Sequence, residues 1–301
     1  MLFMIIFYSG EPIMKSNSKL NRVLIVGGTH GNEFTGAYLI KKFQQFPELI
    51  RRSSFETLTL FANPKAFTAV RRYIDRDLNH CFSRVDLQNT TLSCYEDLRA
   101  KEIDQMFGSN SENPIDFIFD IHSTTTNMGL TLIVDNDDFF SLQLAAYLSS
   151  INSEIKVYSF GDLYPSPNLL PLRALGKSSL CIEVGAVPQG ILNAEIFLKT
   201  EALVYAILDY LEKYNIGETT DCQNILTLYK YIEAVNYPRN EQGEIQAMIH
   251  PQLEFKDYQA LHPNDPILLT LDGQTIPYKG NSIVYPTFIN EAAYYEKGIA
   301  M

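Results

Sequence analysis

Two short segments carry histidine and carboxylate side chains at spacings that suit a metal ion. In the first, residues 27–33 (GGTHGNE), His30 and Glu33 lie three positions apart where a predicted strand leads into a helix. One imidazole and one carboxylate at this spacing can converge on a single ion. Such pairs also serve as helix caps or surface polar groups, so this pair needs support from elsewhere in the chain.

The second segment, residues 117–126 (FIFDIHSTTT), is an apolar strand that ends in His122 and a run of hydroxyl residues. Strand alternation places Asp120 and His122 on the same face. Two ligands close together with a third about ninety residues further along is the layout of a catalytic zinc site with one open position. Asp120 then orients an imidazole or caps the strand end. A core histidine bonded to a hydroxyl is the alternative for His122.

Two further segments could complete a hydrolytic site. Glu183 is the lone carboxylate of an apolar strand, residues 179–185 (SLCIEVG). A buried carboxylate is costly unless it is paired, and beside a catalytic zinc it could act as general base. A structural ion pair is the alternative. Residues 71–80 (RRYIDRDLNH) concentrate positive charge, as either a solvated loop or a clamp for an anionic substrate.

The elements that must position these residues alternate between strand and helix, which predicts an α/β fold with a mixed sheet. Strands are predicted at 23–26, 57–62, 116–121, 130–134 and 180–184, and helices at 32–45, 93–107 and 193–214. The helix at 93–107 opens with Ser93 and Glu96 at capping-box spacing. After residue 216, short apolar runs separated by turn signals such as Asp272-Gly273 indicate β structure. We therefore predict a loose N-terminal extension (1–21), an α/β catalytic domain (22–215) and a smaller β domain (216–301).

Composition narrows the class of protein. The 301 residues are 46% hydrophobic and 20% charged, which excludes a disordered chain, and the net charge of −11 argues against nucleic-acid or anionic-membrane partners. The four cysteines form no C-x-x-C pair, so neither a disulfide framework nor a thiolate zinc site is expected. The apolar run at 2–8 is too short to span a bilayer and lacks the features of a signal peptide. We expect a cytoplasmic protein, with Met14 as a second candidate start.

Several of these segments together resemble the aspartoacylase family, within the zinc carboxypeptidase-like deacylases. The similarity runs from about Arg22 to the C-terminus. It rests on residues 27–33, Asn63-Pro64, 72–79 (RYIDRDLN), the His122 strand with 125–129 (TTNMG), 182–185 (IEVG), 265–277 (DPILLTLDGQTIP) and 290–297 (NEAAYYEK).

The resemblance implies a zinc-carboxypeptidase-like mixed sheet with helices on both faces, and a C-terminal β domain that caps the active site. It implies one Zn²⁺ per subunit and hydrolysis of the amide of a small anionic N-acyl amino acid. By position, His30, Glu33 and His122 match the metal ligands, Glu183 the general base, Arg72 the group that polarises the scissile carbonyl, and Asn79, Arg173 and Tyr294 the groups that hold the substrate carboxylates.

Two positions depart from the family pattern in the substrate-binding region. His80 replaces a second arginine directly after the loop asparagine, and Leu169 replaces a tyrosine four residues before Arg173. An imidazole binds a carboxylate less strongly than a guanidinium at neutral pH, unless another cation such as Arg76 substitutes.

The leading hypothesis is hydrolysis of N-acyl-L-aspartate. A deacylase for N-acyl aromatic amino acids or S-conjugated N-acetylcysteines is the nearest rival, and succinylglutamate desuccinylase chemistry is a weaker one. A peptidase and a non-catalytic zinc- or ligand-binding homologue are further alternatives. A homo-oligomer is compatible with the sequence.

Overall fold

The chain folds around one large mixed β-sheet. The computed structural model describes residues 1–8, 19–112, 114–135, 138–161, 170–219 and 225–301. Within these ranges the strands are β1 (Leu2–Tyr8), β2 (Arg22–Gly27), β3 (Glu56–Phe61), β4 (Phe117–Ser123), β5 (Gly129–Ile133), β6 (Ile155–Ser159), β7 (Ser178–Gly185), β8 (Leu226–Glu233), β9 (Ala247–Ile249), β10 (Pro266–Thr270), β11 (Thr275–Pro277) and β12 (Tyr285–Pro286). The helices are α1 (Phe34–Gln45), α2 (Pro64–Thr68), α3 (Arg84–Gln88), α4 (Tyr95–Phe107), α5 (Phe139–Ile151) and α6 (Ala194–Asn215), with 3₁₀ turns at Pro47–Ile50, Leu78–His80, Leu172–Leu175 and Ala292–Tyr294.

In the described residues, nine strands form the main sheet in the order β12-β1-β8-β6-β5-β7-β4-β2-β3. The neighbours β3, β2, β4 and β7 run parallel, and β5 is antiparallel to β7. A second sheet of three antiparallel strands, β11-β10-β9, lies in the C-terminal part. The predicted α/β class with a smaller C-terminal β structure is confirmed.

Helices cover both faces of the main sheet because alternate residues of its central strands are apolar on both sides. On β2, Val23 and Ile25 pack with buried residues of α1, α5 and α6. The intervening Leu24 and Val26 pack with Ala100 and others from α4. The sequence analysis did not predict strand β6 or helix α5.

The prediction of a loose N-terminal extension is wrong for Leu2–Tyr8. This segment is strand β1, which pairs antiparallel with β8 along its whole length and with β12 at its start. Leu2 and Phe3 are buried. The apolar run is explained by this pairing, since it packs one more strand onto the sheet. Met14 lies outside the described residues.

The predicted β domain also needs correction, because β8 begins after the predicted boundary at residue 215 and yet belongs to the main sheet. It runs parallel to β6 and antiparallel to β1. The separate small sheet is confined to strands between residues 247 and 277. None of the helices in the described part of the chain combines the length and apolarity needed to cross a bilayer.

The end of α6 is tied to the start of β2 by a buried asparagine, which gives a test of this fold. Asn215 accepts a hydrogen bond from the N–H of Leu20 at 2.9 Å and donates to the carbonyls of Leu20 and Ser54 at 2.7 and 3.1 Å. We expect Asn215→Ala to lower the free energy of unfolding by about 2–4 kcal/mol, because it leaves buried backbone groups unpaired. Urea denaturation measures this, with Asn110→Ala at an exposed position as the control. Equal losses in the two variants would contradict the assignment.

Candidate active site

The candidate site lies where β2, β4 and β7 end side by side. The last residue of β2, Gly27, pairs with Ile121 on β4, and the next residue of β4, His122, pairs with Glu183 on β7. The carboxyl ends of parallel strands are where open α/β sheets place their ligands. Strand register therefore brings two of the predicted side chains together although they are far apart in sequence.

The loop from β2 to α1 passes very close to helix α2, and glycine permits this approach. A Cβ atom at Gly31 would lie 2.0 Å from the carbonyl carbon of Ala66. The loop thereby places His30 and Glu33 beside His122, with His30 3% and Glu33 6% exposed. The side chain of Glu33 makes no capping bond to α1. Its carboxylate turns to the site instead, where it accepts the N–H of Ser123 at 3.1 Å.

His30, Glu33 and His122 converge on one point. The Nδ1 atoms of the two histidines are 3.1 Å apart. The Glu33 carboxylate lies 2.7 Å from Nδ1 of His30 and 3.0 Å from Nδ1 of His122. One potential ligand atom from each residue thus lies within 4.8 Å of the other two, and these three residues could hold a metal ion.

The outer nitrogens of both imidazoles face carboxylates, which fixes the chemistry of the inner ones. Nε2 of His122 lies 2.9 Å from Asp120, and Nε2 of His30 lies 3.0 Å from Asp77. An ionised carboxylate only accepts hydrogen bonds, so each Nε2 carries a proton. Each Nδ1 then faces inward, where its lone pair can bind a metal ion whenever that nitrogen is unprotonated. Two unprotonated Nδ1 atoms beside the Glu33 carboxylate form an electron-rich group that a metal ion would stabilise.

The electrostatics of these groups agree with a cation site. Burial alone would raise the pKa of Glu33, but His30 and His122 outweigh it and hold that pKa below its usual value. Burial alone would lower the pKa of His122, but Asp120, Cys181 and Glu33 outweigh it and hold that pKa well above its usual value. The lowered pKa of Glu33 shows that the two histidines stabilise its negative charge, and the raised pKa of His122 shows that the surrounding acidic groups favour positive charge there.

Arg72 lies against the same carboxylates. Its Nη1 is 3.2 Å from Glu33 and its Nε is 3.1 Å from Asp77. Burial lowers the pKa of Arg72, but Asp77 and Glu33 more than offset this and raise it. The guanidinium is therefore a fixed positive charge at the edge of the proposed metal site.

The loop that follows Arg72 is held by a buried carboxylate that the sequence analysis assigned wrongly. Glu96 is 0% exposed. It accepts the backbone N–H groups of Ile74, Asp75 and Arg76 at 2.7, 3.0 and 3.2 Å, and the side-chain amide of Asn63 at 3.2 Å. The loop that carries Arg72 and Asp77 therefore depends on Glu96.

The predicted capping box of Ser93 and Glu96 is wrong by one residue. Helix α4 begins at Tyr95, its N-cap is Cys94, and the Asp97 carboxylate accepts the N–H of Cys94 at 3.3 Å. Asp97 accepts a hydrogen bond from the N-cap residue three positions before it, which is the spacing predicted for Ser93 and Glu96. The carboxylate of Glu96 is therefore free of the helix end and binds the backbone of the loop.

Glu183 lies beside His122 and faces the cavity. Within the described residues, no side chain or backbone group forms a hydrogen bond or ion pair with its carboxylate. The alternative of a structural ion pair is therefore not supported there. Burial raises the pKa of Glu183 well above its usual value, and Glu33 and Glu291 add to the rise while His122 and Arg72 oppose it.

The predicted site residues surround one cavity of about 240 Å³. Its walls include all of those that the structure describes, namely His30, Glu33, Arg72, Asn79, His80, His122, Arg173, Glu183 and Tyr294. Arg76 is not among the lining residues and is paired with Asp86 and Asp97. It therefore does not substitute for a cation at position 80. Leu169 lies outside the described residues.

The residues expected to hold the substrate reach the cavity from separate segments. Oδ1 of Asn79 accepts the N–H of Leu172 at 3.1 Å, which joins two of these segments. Tyr294 comes from the C-terminal 3₁₀ turn. His80 lies 4.0 Å from Asp77, and its Nδ1 has no hydrogen-bond partner among the described residues. Burial lowers the pKa of His80 despite Asp77, so this imidazole is neutral near pH 7.

Several cavity residues were missed by the sequence analysis. Glu291 and Lys297 lie in the segment 290–297 that carried the resemblance, but no role was assigned to them. An aromatic wall of Tyr158, Phe160 and Phe288 also lines the cavity. No local pattern marks these aromatic residues as part of a site, because they resemble ordinary core residues.

Comparison with known proteins places the chain among amide hydrolases. A model of the succinylglutamate desuccinylase/aspartoacylase catalytic domain matches residues 19–211, and a model of the AstE/AspA barrel-sandwich hybrid domain matches residues 224–301. A protein named "Probable aspartoacylase" from Nostoc sp. is 59% identical over 94% of this chain and 96% of its own length.

Two other similar proteins carry different names. An N-acyl-aromatic-L-amino acid amidohydrolase (carboxylate-forming) from Xenopus tropicalis is 40% identical over 93% of this chain and 91% of its own length. The crystal structure of murine aminoacylase 3 superimposes with a TM-score of 0.86 at 36% identity and covers 95% of each chain.

The role of Glu96 gives a test of how the site is supported. We expect Glu96→Gln to lower the free energy of unfolding by about 2–4 kcal/mol, since an amide retains one acceptor oxygen and turns an NH₂ group toward backbone N–H donors. Urea denaturation measures the loss. Glu102→Gln, an exposed position on the same helix, is the matched control and should stay within about 0.5 kcal/mol of the native protein. A loss at Glu96 no larger than at Glu102 would show that the loop does not depend on this carboxylate.

Proposed function

Since the chain belongs to the succinylglutamate desuccinylase/aspartoacylase family, a family of amide hydrolases, we propose that it is a zinc-dependent amidohydrolase that cleaves N-acyl-L-aspartate. N-acetyl-L-aspartate and water would give acetate and L-aspartate. The observation that carries the proposal is the cavity in which the His30–Glu33–His122 cluster, Arg72 and Glu183 meet. The 59% identity to a protein named as a probable aspartoacylase supports this substrate class.

His30, Glu33 and His122 are the residues that would hold the zinc ion. Two imidazoles and one carboxylate are a common ligand set of catalytic zinc. Bonds of about 2.0–2.1 Å in tetrahedral geometry put ligand atoms about 3.3 Å apart. The closest contacts here, 2.7 to 3.1 Å, need only a small expansion. Zinc would supply Lewis-acid activation of the water and of the scissile carbonyl.

Glu183 is suited to move the proton. Hydrolysis requires that a proton leave the attacking water and that the departing nitrogen gain one. The Glu183 carboxylate can accept the first proton and deliver it to the amine as the C–N bond breaks. Its raised pKa makes it a stronger base than an exposed glutamate and a competent acid in its protonated form.

Arg72 is suited to stabilise the charge that develops on the carbonyl oxygen. Its guanidinium lines the cavity and is anchored by Glu33 and Asp77, so it need not reorganise during the reaction. Preorganised donors of this kind make a large contribution to acyl-transfer catalysis. Asn79, Arg173 and Tyr294 would bind the carboxylates of the aspartate portion from the other walls. His80 and Lys297 lie within the same cavity.

A second candidate function is deacylation of N-acyl aromatic amino acids. The neutral His80 and the aromatic wall of Tyr158, Phe160 and Phe288 favour it, because they provide apolar contact area and less positive charge than an arginine would. The relative from Xenopus tropicalis is named for that activity. The higher identity to the probable aspartoacylase favours the acidic substrate.

The decisive experiment assays zinc-loaded protein against a panel of N-acyl amino acids. We expect the highest kcat/KM with N-acetyl-L-aspartate, and about one zinc per chain by elemental analysis. Glu183→Gln should reduce kcat by about 10²–10⁴-fold, because it removes the general base, while the zinc content stays unchanged. Glu195→Gln, at an exposed position of α6, controls for the loss of one carboxylate.

The outcomes separate the parts of the proposal. A higher kcat/KM with N-acetyl-L-phenylalanine would replace the substrate while keeping the reaction. Full activity in Glu183→Gln would remove Glu183 from the mechanism. Bound zinc without turnover of any panel member would favour the non-catalytic homologue.

Position 80 tests the specificity separately. We expect His80→Arg to raise kcat/KM for N-acetyl-L-aspartate about tenfold relative to N-acetyl-L-phenylalanine, since a permanent cation replaces a neutral imidazole. His80→Gln keeps a neutral polar group and should leave this ratio nearly unchanged. Steady-state kinetics at pH 7.5 measures both. An equal effect of His80→Arg on both substrates would mean that residue 80 does not contact the side-chain end of the substrate.

A further inference from the structure

Arg173, the cavity arginine expected to bind a substrate carboxylate, is already paired with a carboxylate of the protein. Asp135 follows strand β5, and its two oxygens lie 2.5 and 3.0 Å from Nη1 and Nη2 of Arg173. Nη1 also donates to the hydroxyl of Ser179 at 3.1 Å. The terminal fork of the guanidinium is thus engaged by Asp135 in the geometry in which arginine binds a free carboxylate.

This pair changes the charge that the cavity offers to an acidic substrate. Arg173 and Asp135 together carry no net charge. A substrate carboxylate that approaches the guanidinium also approaches the Asp135 carboxylate, and like charges within a few ångströms of one another repel. The presence of an arginine in this wall therefore does not by itself make the wall attractive to anions.

The two cavity arginines differ in how firmly their partners are held. The partners of Arg72 are buried, since the side chains of Glu33 and Asp77 are 7% and 14% exposed, and both carboxylates also bind the histidines of the metal cluster. The side chain of Asp135 is 42% exposed, against 5% for Arg173. The Asp135 carboxylate can be solvated by water when it leaves the pair, whereas the buried guanidinium is stabilised by a carboxylate partner.

From this asymmetry we propose that Asp135 is a specificity-determining residue whose carboxylate competes with the side-chain carboxylate of the substrate for Arg173. In the free enzyme Asp135 keeps the buried guanidinium paired. An acidic substrate takes its place, and a neutral substrate leaves the pair intact. Asp135 thereby sets how strongly the cavity discriminates acidic from neutral N-acyl amino acids. The inference rests on the proposed function.

The test uses two substrates that differ in charge and not in shape, N-acetyl-L-aspartate and N-acetyl-L-asparagine. We expect Asp135→Asn to raise the ratio of their kcat/KM values about tenfold in favour of the aspartate, because the negative charge that competes for Arg173 is removed. The change should lie in KM for N-acetyl-L-aspartate, with kcat nearly unchanged, since binding and not chemistry is affected.

Two control variants isolate the effect. Asp209→Asn makes the same substitution in an ion pair with Arg52 at 2.6 Å, and this arginine, unlike Arg173, does not line the cavity. It should leave the ratio unchanged. Asp135→Glu keeps the competing carboxylate and should keep a ratio close to that of the native protein. A structural role for the pair would lower kcat/KM for both substrates together.

A ratio that stays constant or falls in Asp135→Asn would overturn the proposal. If the native protein hydrolyses neither compound, the proposed function fails and calorimetry still tests the inference. Asp135→Asn should then bind L-aspartate about tenfold more tightly than the native protein does, with no such gain for L-asparagine. No gain for L-aspartate would overturn the inference on its own.

Discussion

The constraint on which the rest of the site depends is the convergence of His30, Glu33 and His122 on one point. The two Nδ1 atoms lie 3.1 Å apart and each lies within 3.0 Å of a Glu33 oxygen, so the surrounding structure must hold these groups together. A bound cation would stabilise their convergence. The protein holds them through the outer imidazole nitrogens, with Asp77 behind His30 and Asp120 behind His122. Asp120 is itself fixed by the hydroxyl of Thr29 at 2.9 and 3.0 Å.

Asp77 extends this constraint to the substrate side of the site. The same carboxylate binds His30, Arg72 and the backbone N–H of Asn79. The positions of the His30–Glu33–His122 cluster, of Arg72 and of the loop at Asn79 are therefore coupled. Glu96 stabilises the positions of Arg72 and Asp77, because it binds the backbone N–H groups of residues 74–76 that lie between them in the chain.

The parts of the fold and site that could be predicted from sequence are those with a local signal. His30 and Glu33 follow a strand and open a helix, and His122 ends a strand, so the topology of parallel strands alone brings them to one edge.

The parts that could not be predicted depend on partners distant in the chain. Ser93 and Glu96 have the same capping-box spacing as Cys94 and Asp97, so the sequence does not distinguish the two pairs. The backbone N–H groups that bind Glu96 lie about twenty residues earlier in the chain. Strand β1 was missed because its partner β8 lies more than two hundred residues later. Asp135 belongs to no motif, and only its contact with Arg173 marks it.

The acidic character of the chain, with a net charge of −11, extends into this cavity, where several carboxylates lie close together. Carboxylates are needed there to orient histidines, to anchor Arg72 and to keep Glu183 basic, since Glu33 and Glu291 both raise its pKa. Each of them also repels an acidic substrate. For an acidic substrate, positive charge must therefore come from a cation that would lie between the two histidines and from arginines that can exchange a carboxylate of the protein for one of the substrate. It follows that counting arginines does not predict specificity in such a site. The exchange proposed for Arg173 depends on the exposure of its partner Asp135, whereas the partners of Arg72 are buried and hold that arginine in place.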